Sequence, residues 1–144
     1  VGPAHDIDES LARVRLVALD VDGTLTDGGI LYGGGEEWQR FCVRDGLGIV
    51  RLREAGVAVA WITGRGCRAT ERRAEELGVD VLLSRAGPKE TALARVQATL
   101  GIGRDATLAM GDDLPDLGLF AGAALSACPS DAAPEVRAAA DLVL

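Results

Sequence analysis

Short apolar runs alternate with helical patterns along most of this chain, and few folds accommodate that order. Residues 15–19 (RLVAL), 57–62 (VAVAWI), 79–83, 107–110, 124–127 and 142–144 read as strands. Between them, residues 46–54, 68–77, 89–100, 116–121 and 134–140 carry helical spacing, and Gly56, Gly78 and Gly101 stand where the first three helices should stop. Strands that are apolar throughout, rather than on alternate residues, belong to a parallel sheet covered by helices on both faces. The expectation is therefore an α/β chain, a three-layer sandwich around a mostly parallel sheet. A length of 144 residues suits one domain spanning 1–144, and no repeat or linker interrupts it.

One segment breaks the alternation. Residues 28–44 read GGILYGGGEEWQRFCVR, with strand-like residues at 30–32 and 38–42 around Gly33-Gly34-Gly35. This predicts a β-hairpin projecting from the sheet edge. The glycines are not followed by the GK[ST] of a phosphate loop, so they read as a turn.

Parallel sheets gather ligands beyond the carboxyl ends of their strands. The residues there are Asp20 and Asp22, then Thr63-Gly64-Arg65, then Gly111-Asp112-Asp113, with Lys89 opening the helix after the third strand. Carboxylates this close resist joint ionisation unless a cation lies between them. A hard divalent ion with oxygen ligands removes the conflict, and Mg²⁺ is the usual one. Asp20 and Asp112 are the natural ligands, with Asp113 assisting through water. Mg²⁺ favours phosphate oxygens, so a phosphorylated ligand follows. Asp20 is then placed to attack phosphorus and form an aspartyl-phosphate. Asp22 can protonate the leaving group and later deprotonate water. Thr63 and Lys89 can hold the phosphoryl oxygens. Each segment alone has a plain structural reading: an acidic turn, a helix cap, a tight turn, a solvated lysine. Their joint order at one sheet edge is what favours chemistry.

Composition narrows the alternatives. The formal net charge of −7 argues against nucleic acid and anionic membrane as partners. No run of eighteen apolar residues appears and the N-terminus lacks signal-peptide order, so a cytoplasmic protein is expected. Cys42, Cys67 and Cys128 are spaced for neither zinc nor a redox pair and read as reduced thiols. The single histidine, His5, falls in a stretch expected to be a mobile tail, which leaves carboxylates, hydroxyls, Lys and Arg for chemistry.

Together, DVDGTLTDG, RDGLGI, WITGR, Lys89 and GDDLPDL resemble the haloacid dehalogenase superfamily of phosphatases. FCVRDGLGI and the hairpin before it resemble its capless branch, which holds the 3-deoxy-D-manno-octulosonate 8-phosphate phosphatases, nonulosonate 9-phosphate phosphatases and the C-terminal domains of some sialate cytidylyltransferases. The resemblance implies a Rossmann-like fold, Mg²⁺ dependence and a phosphorylated sugar acid as substrate, the octulosonate before the nonulosonate. It implies Asp20 as nucleophile and Asp22 as general acid/base with its carbonyl on the metal. It further implies Thr63 and Lys89 on phosphate, Asp112 on the metal, and substrate contacts at Arg65, Asp45 and Gly46. Hairpins of the family build a central barrel in a homotetramer, and a neighbouring subunit would close a site that has no lid. The chain departs from the pattern at Pro115, at SRAGPK where Gln-Gly is usual before the lysine, and at SDAAPEV, which lacks a usual His. It ends at AADLVL, where relatives continue into a Gly-rich, Arg-containing tail. Two rivals fit less well. A signalling receiver needs its phosphorylated Asp after the third strand, where Ser84 stands. A silent assembly module would be free to lose Asp20 or Asp112, and both are kept.

Overall fold

The computed structural model describes residues 7–144; His5 lies outside the described residues. In chain order the elements are α1 (Ile7–Ala12), β1 (Leu16–Leu19), β2 (Leu31–Gly33), β3 (Glu36–Trp38), α2 (Val43–Glu54), β4 (Ala58–Ile62) and α3 (Arg68–Leu77). They continue as β5 (Val81–Leu83), α4 (Lys89–Leu100), β6 (Thr107–Met110), α5 (Leu117–Ala121), β7 (Leu125–Cys128), α6 (Pro134–Ala139) and β8 (Leu142–Val143). Six strands form one sheet in the order β5-β4-β1-β6-β7-β8, and every pairing in it is parallel.

Side chains of a strand alternate between faces. Leu16, Ala18, Ala60 and Ile62 pack on one face with Leu93 and Val96 of α4 and Leu119 of α5. Val17, Leu19, Val59 and Trp61 pack on the other with Ile49 of α2 and Ala74 of α3. Both faces are thus covered, which accounts for the unbroken apolar runs. Phe41 stacks on the buried Trp61 with centroids 6.0 Å apart and fixes the base of the hairpin to the second face. Register then decides what emerges together. Leu19 lies level with Trp61 and Met110, so Asp20 leaves the sheet beside Gly111, with Thr63 one residue beyond.

The hairpin differs from expectation in its second strand, which is Glu36–Trp38 rather than 38–42. Gly34 and Gly35 both take positive φ, 59° and 79°, and make a two-residue turn that pairs Gly33 with Glu36. The ladder therefore starts earlier, and residues 39–41 leave it except for a bridge between Phe41 and Thr26. Helix α2 begins at Val43, before the expected Gly46, with Asp45 in its first turn where the helix dipole favours an acid. The expected helix over 116–121 opens as a 3₁₀ turn, Leu114–Asp116, with Pro115 in its first positions. Helix α1 was not expected; its apolar residues Ile7 and Leu11 stay exposed, so no buried stripe announces it. All three cysteines are free, as expected. Among the described residues no helix is long and apolar enough to cross a membrane.

Candidate active site

Asp20 is the first residue past the central strand β1. Its backbone N–H still donates to Met110 O at 2.9 Å, so the ladder holds the residue rigidly. Only 5% of its surface is exposed. Lys89, at the start of α4, donates to both Asp20 and Asp116. One ammonium thus joins two buried carboxylates. Burial, then the charge of Asp116, pushes the Asp20 carboxyl up to about 7 despite the opposing pull of Lys89. Burial alone would pull Lys89 down, but Asp20 and Asp116 hold it above its ordinary value.

Asp112 completes the acid cluster. One carboxylate oxygen from each of Asp20, Asp112 and Asp116 falls within 4.8 Å of the others. Burial holds the Asp112 carboxyl above its usual range. Thr24 donates to Asp112 at 3.1 Å, and Gly23 makes the approach possible. Gly23 has a φ of 94°, and a Cβ there would overlap the Asp112 carboxylate. Asp116 accepts the backbone N–H groups of Asp112 and Asp113, at 2.9 and 3.1 Å, and so shapes the loop as well as meeting Lys89. With Asp116 so committed, Asp20 and Asp112 are the acids best placed to hold a divalent cation. Three buried or half-buried oxygen donors gathered this closely are a donor set suited to a hard ion. Asp113 turns away to cap the 3₁₀ turn, accepting from Leu114 N at 2.8 Å.

The Asp22 carboxylate stands apart from this cluster and is held by two donors. Gln39 Nε2 donates to one oxygen at 2.7 Å and Thr63 Oγ1 to the other at 3.3 Å. Gln39 in turn accepts from the buried Thr70 of α3 at 2.6 Å. Thr63 also accepts from Arg65 N at 3.1 Å, which fixes the loop after β4. Arg65 pairs with Glu37 of the hairpin at 2.7 Å. Together with Gly64, these two residues line a cleft of about 550 Å³ that also includes Gly66, Arg85 and Gly87.

Two expected substrate contacts lie elsewhere. Asp45 lines a separate groove with Thr24, Asp27 and Arg40. Gly46 is buried against α3, where a Cβ would overlap the Arg73 guanidinium, so helix packing explains that glycine. Asp27 pairs with Arg40 at 2.7 Å at the foot of the hairpin. Sequence reasoning gave Asp116 no role, although an acid one helical turn past Asp112 was a usable signal. It missed Gln39 altogether, because the residue sat inside an expected strand.

Residues 82–144 match the haloacid dehalogenase-like hydrolases. The 3-deoxy-D-manno-octulosonate 8-phosphate phosphatase of Haemophilus influenzae is 37% identical over 139 residues, covering 96% of this chain and 77% of the relative. The crystal structure of the Yersinia pestis enzyme of that name superposes with a TM-score of 0.93 at 38% identity, over 97% of this chain and 76% of that one. The Moraxella catarrhalis enzyme, solved with magnesium, phosphate and KDO, gives 0.92 at 36% identity, over 97% and 82%. The fold and the acid-lined sheet edge are those of a phosphatase of the haloacid dehalogenase class. Within that class, the chain belongs to the 3-deoxy-D-manno-octulosonate 8-phosphate phosphatase family.

Proposed function

We propose that this phosphatase is a Mg²⁺-dependent phosphomonoesterase of 3-deoxy-D-manno-octulosonate 8-phosphate, working through an aspartyl-phosphate on Asp20. The observation that carries the reading is the buried Asp20 carboxylate, bonded to Lys89 and within reach of Asp112 and Asp116. The names of the relatives above support the substrate.

In this reading a free oxygen of Asp20 attacks phosphorus and the bond from phosphorus to the sugar oxygen breaks. Asp22 gives its proton to that oxygen. Water then attacks the phosphoryl group, Asp22 takes the water's proton, and the bond to Asp20 breaks to release phosphate. Lys89 sits on the nucleophile's own oxygen, where the charge of an arriving phosphoryl group is met. The 3.3 Å bond from Thr63 to Asp22 is long, so that hydroxyl is readily recruited by a phosphoryl oxygen. Asp20, Asp112 and the Asp22 carbonyl would hold Mg²⁺, with Asp113 assisting through water, and the ion would offset the charge of acids and phosphate. Arg65 and Gly64, which line the cleft beside Thr63, are proposed to border the sugar. We also propose that 1–144 works as one domain and that the protein is cytoplasmic. Exposed Leu31, Tyr32 and Trp38 on the hairpin support its assembly as a homotetramer.

Phosphate release from a panel of sugar phosphates tests this function. With Mg²⁺, kcat/KM for the octulosonate 8-phosphate is expected to exceed that for nonulosonate 9-phosphates and hexose phosphates by about tenfold or more. Chelation should abolish all of it. Release from none of the panel would sink the proposal, and preference for the nine-carbon acid would redirect it.

Gln39 gives a finer test of Asp22. Gln39→Leu removes the 2.7 Å donor that orients this carboxylate. For an alkyl phosphate, whose leaving oxygen needs a proton, kcat/KM should fall by about 10–100-fold. For 4-nitrophenyl phosphate, whose leaving group needs none, the fall should be severalfold smaller. Equal losses on both substrates would assign Gln39 a structural role only.

A further inference from the structure

Arg85 is the only residue other than glycine with positive φ among the described residues, at 50°. A long side chain is disfavoured there, and strain of this kind gathers where a side chain has a task. Its loop is pinned to the site. Arg85 N donates to Arg65 O at 3.2 Å, and Ala86 N donates to Thr63 O at 3.1 Å. The side chain folds back over Gly66, whose bare Cα makes room: a Cβ there would lie 2.6 Å from the guanidinium carbon. Arg85 therefore lines the cleft with Gly64 and Arg65, the two residues that follow Thr63.

Four other cations near this cleft are committed. Lys89 joins Asp20 and Asp116, Arg65 pairs with Glu37, Arg40 with Asp27 and Arg68 with Glu36. The exposed Arg85 guanidinium has neither an ion pair nor a hydrogen bond among the described residues. Arg65 Nε, at the same cleft, is a buried donor without a partner. Unpaired donors at a cleft beside a phosphate site are suited to a second anionic group on the same substrate. A planar guanidinium offers two parallel N–H groups, which match a carboxylate.

We propose that Arg85 is a specificity residue that receives the carboxylate of the substrate through the cleft beside Thr63, with Arg65 Nε as a second donor. The proposal rests on the phosphatase reading above, because it needs the phosphate of that substrate at Asp20. It explains why an arginine is kept in a conformation that glycine would adopt without strain.

The test compares Arg85→Gly and Arg85→Lys on 3-deoxy-D-manno-octulosonate 8-phosphate, which carries a carboxylate, and on 4-nitrophenyl phosphate, which does not. Glycine suits φ 50°, so that variant should fold and melt at or above the wild-type temperature. Losing a charge-assisted contact should raise KM for the octulosonate about tenfold and leave kcat within about twofold. The octulosonate-to-aryl ratio of kcat/KM should fall by about the same factor, and Arg85→Lys should recover part of it. An unchanged ratio, or a loss confined to kcat, overturns the assignment. Wild-type protein that releases phosphate from neither substrate overturns the phosphatase reading instead, and this proposal with it.

Discussion

Asp20→Asn should reduce turnover by about 10⁴-fold or more while leaving the chain folded. An amide cannot form the acyl-phosphate, and no other carboxylate directly follows β1. Stability should survive for a separate reason. A folded-state pKa of about 7, against an ordinary value of 3.8, means that ionised Asp20 destabilises the fold. The native state binds more protons than the unfolded chain between those values, so stability falls as pH rises through that window and stays lower above it. Asparagine has nearly the same volume and no charge, and Lys89 keeps Asp116. In chelator, the mutant should melt within a few degrees of wild type at pH about 5.5. At pH about 8 it should melt higher, because wild type alone must hold Asp20 ionised. Residual turnover above about a hundredth of wild type would remove Asp20 as nucleophile. A mutant that fails to fold at the higher pH would contradict the origin of the raised pKa.

That the edge of the sheet holds acids, a hydroxyl and a lysine was legible because strand ends are legible. The apolar run 15–19 must stop where water or charge begins, and it stops at Asp20. Parallel pairing of the apolar runs is enough to make Thr63 and Asp112 neighbours of Asp20. Contacts set by the hairpin were not legible. A two-residue turn at Gly34-Gly35, rather than one using all three glycines, moves β3 forward and frees Gln39 to reach Asp22. A shift of that kind leaves composition and apolar pattern almost unchanged. Gly46 was equally opaque, since a glycine that admits a neighbouring helix reads like one that admits a ligand. Arg85 was visible only as a departure from the usual sequence, and its backbone angle supplies the physical meaning.

Lys89→Met should cost about 3–5 kcal/mol of stability, the usual penalty for stranding a buried charge. Lys89 is 7% exposed and is the ammonium shared by Asp20 and Asp116, which are 5% and 1% exposed. Methionine replaces the packing of the stem but leaves two buried carboxylates facing each other. Lys89 holds the Asp20 pKa down, so its loss should raise that pKa beyond about 7. Below the raised value Asp20 takes a proton and escapes the repulsion; above it the full penalty applies. Urea unfolding in chelator should therefore show a larger loss at pH about 8 than at pH about 6. The Lys89→Met, Asp116→Asn double variant separates charge from packing. The amide oxygen that replaces the Asp116 carboxylate can still accept the Asp112 and Asp113 N–H groups, while the second stranded charge is gone. The double variant should be more stable than the sum of the single changes by about 1–2 kcal/mol. An additive result with equal losses at both pH values would mean that the Lys89 ammonium does not offset the charges of Asp20 and Asp116.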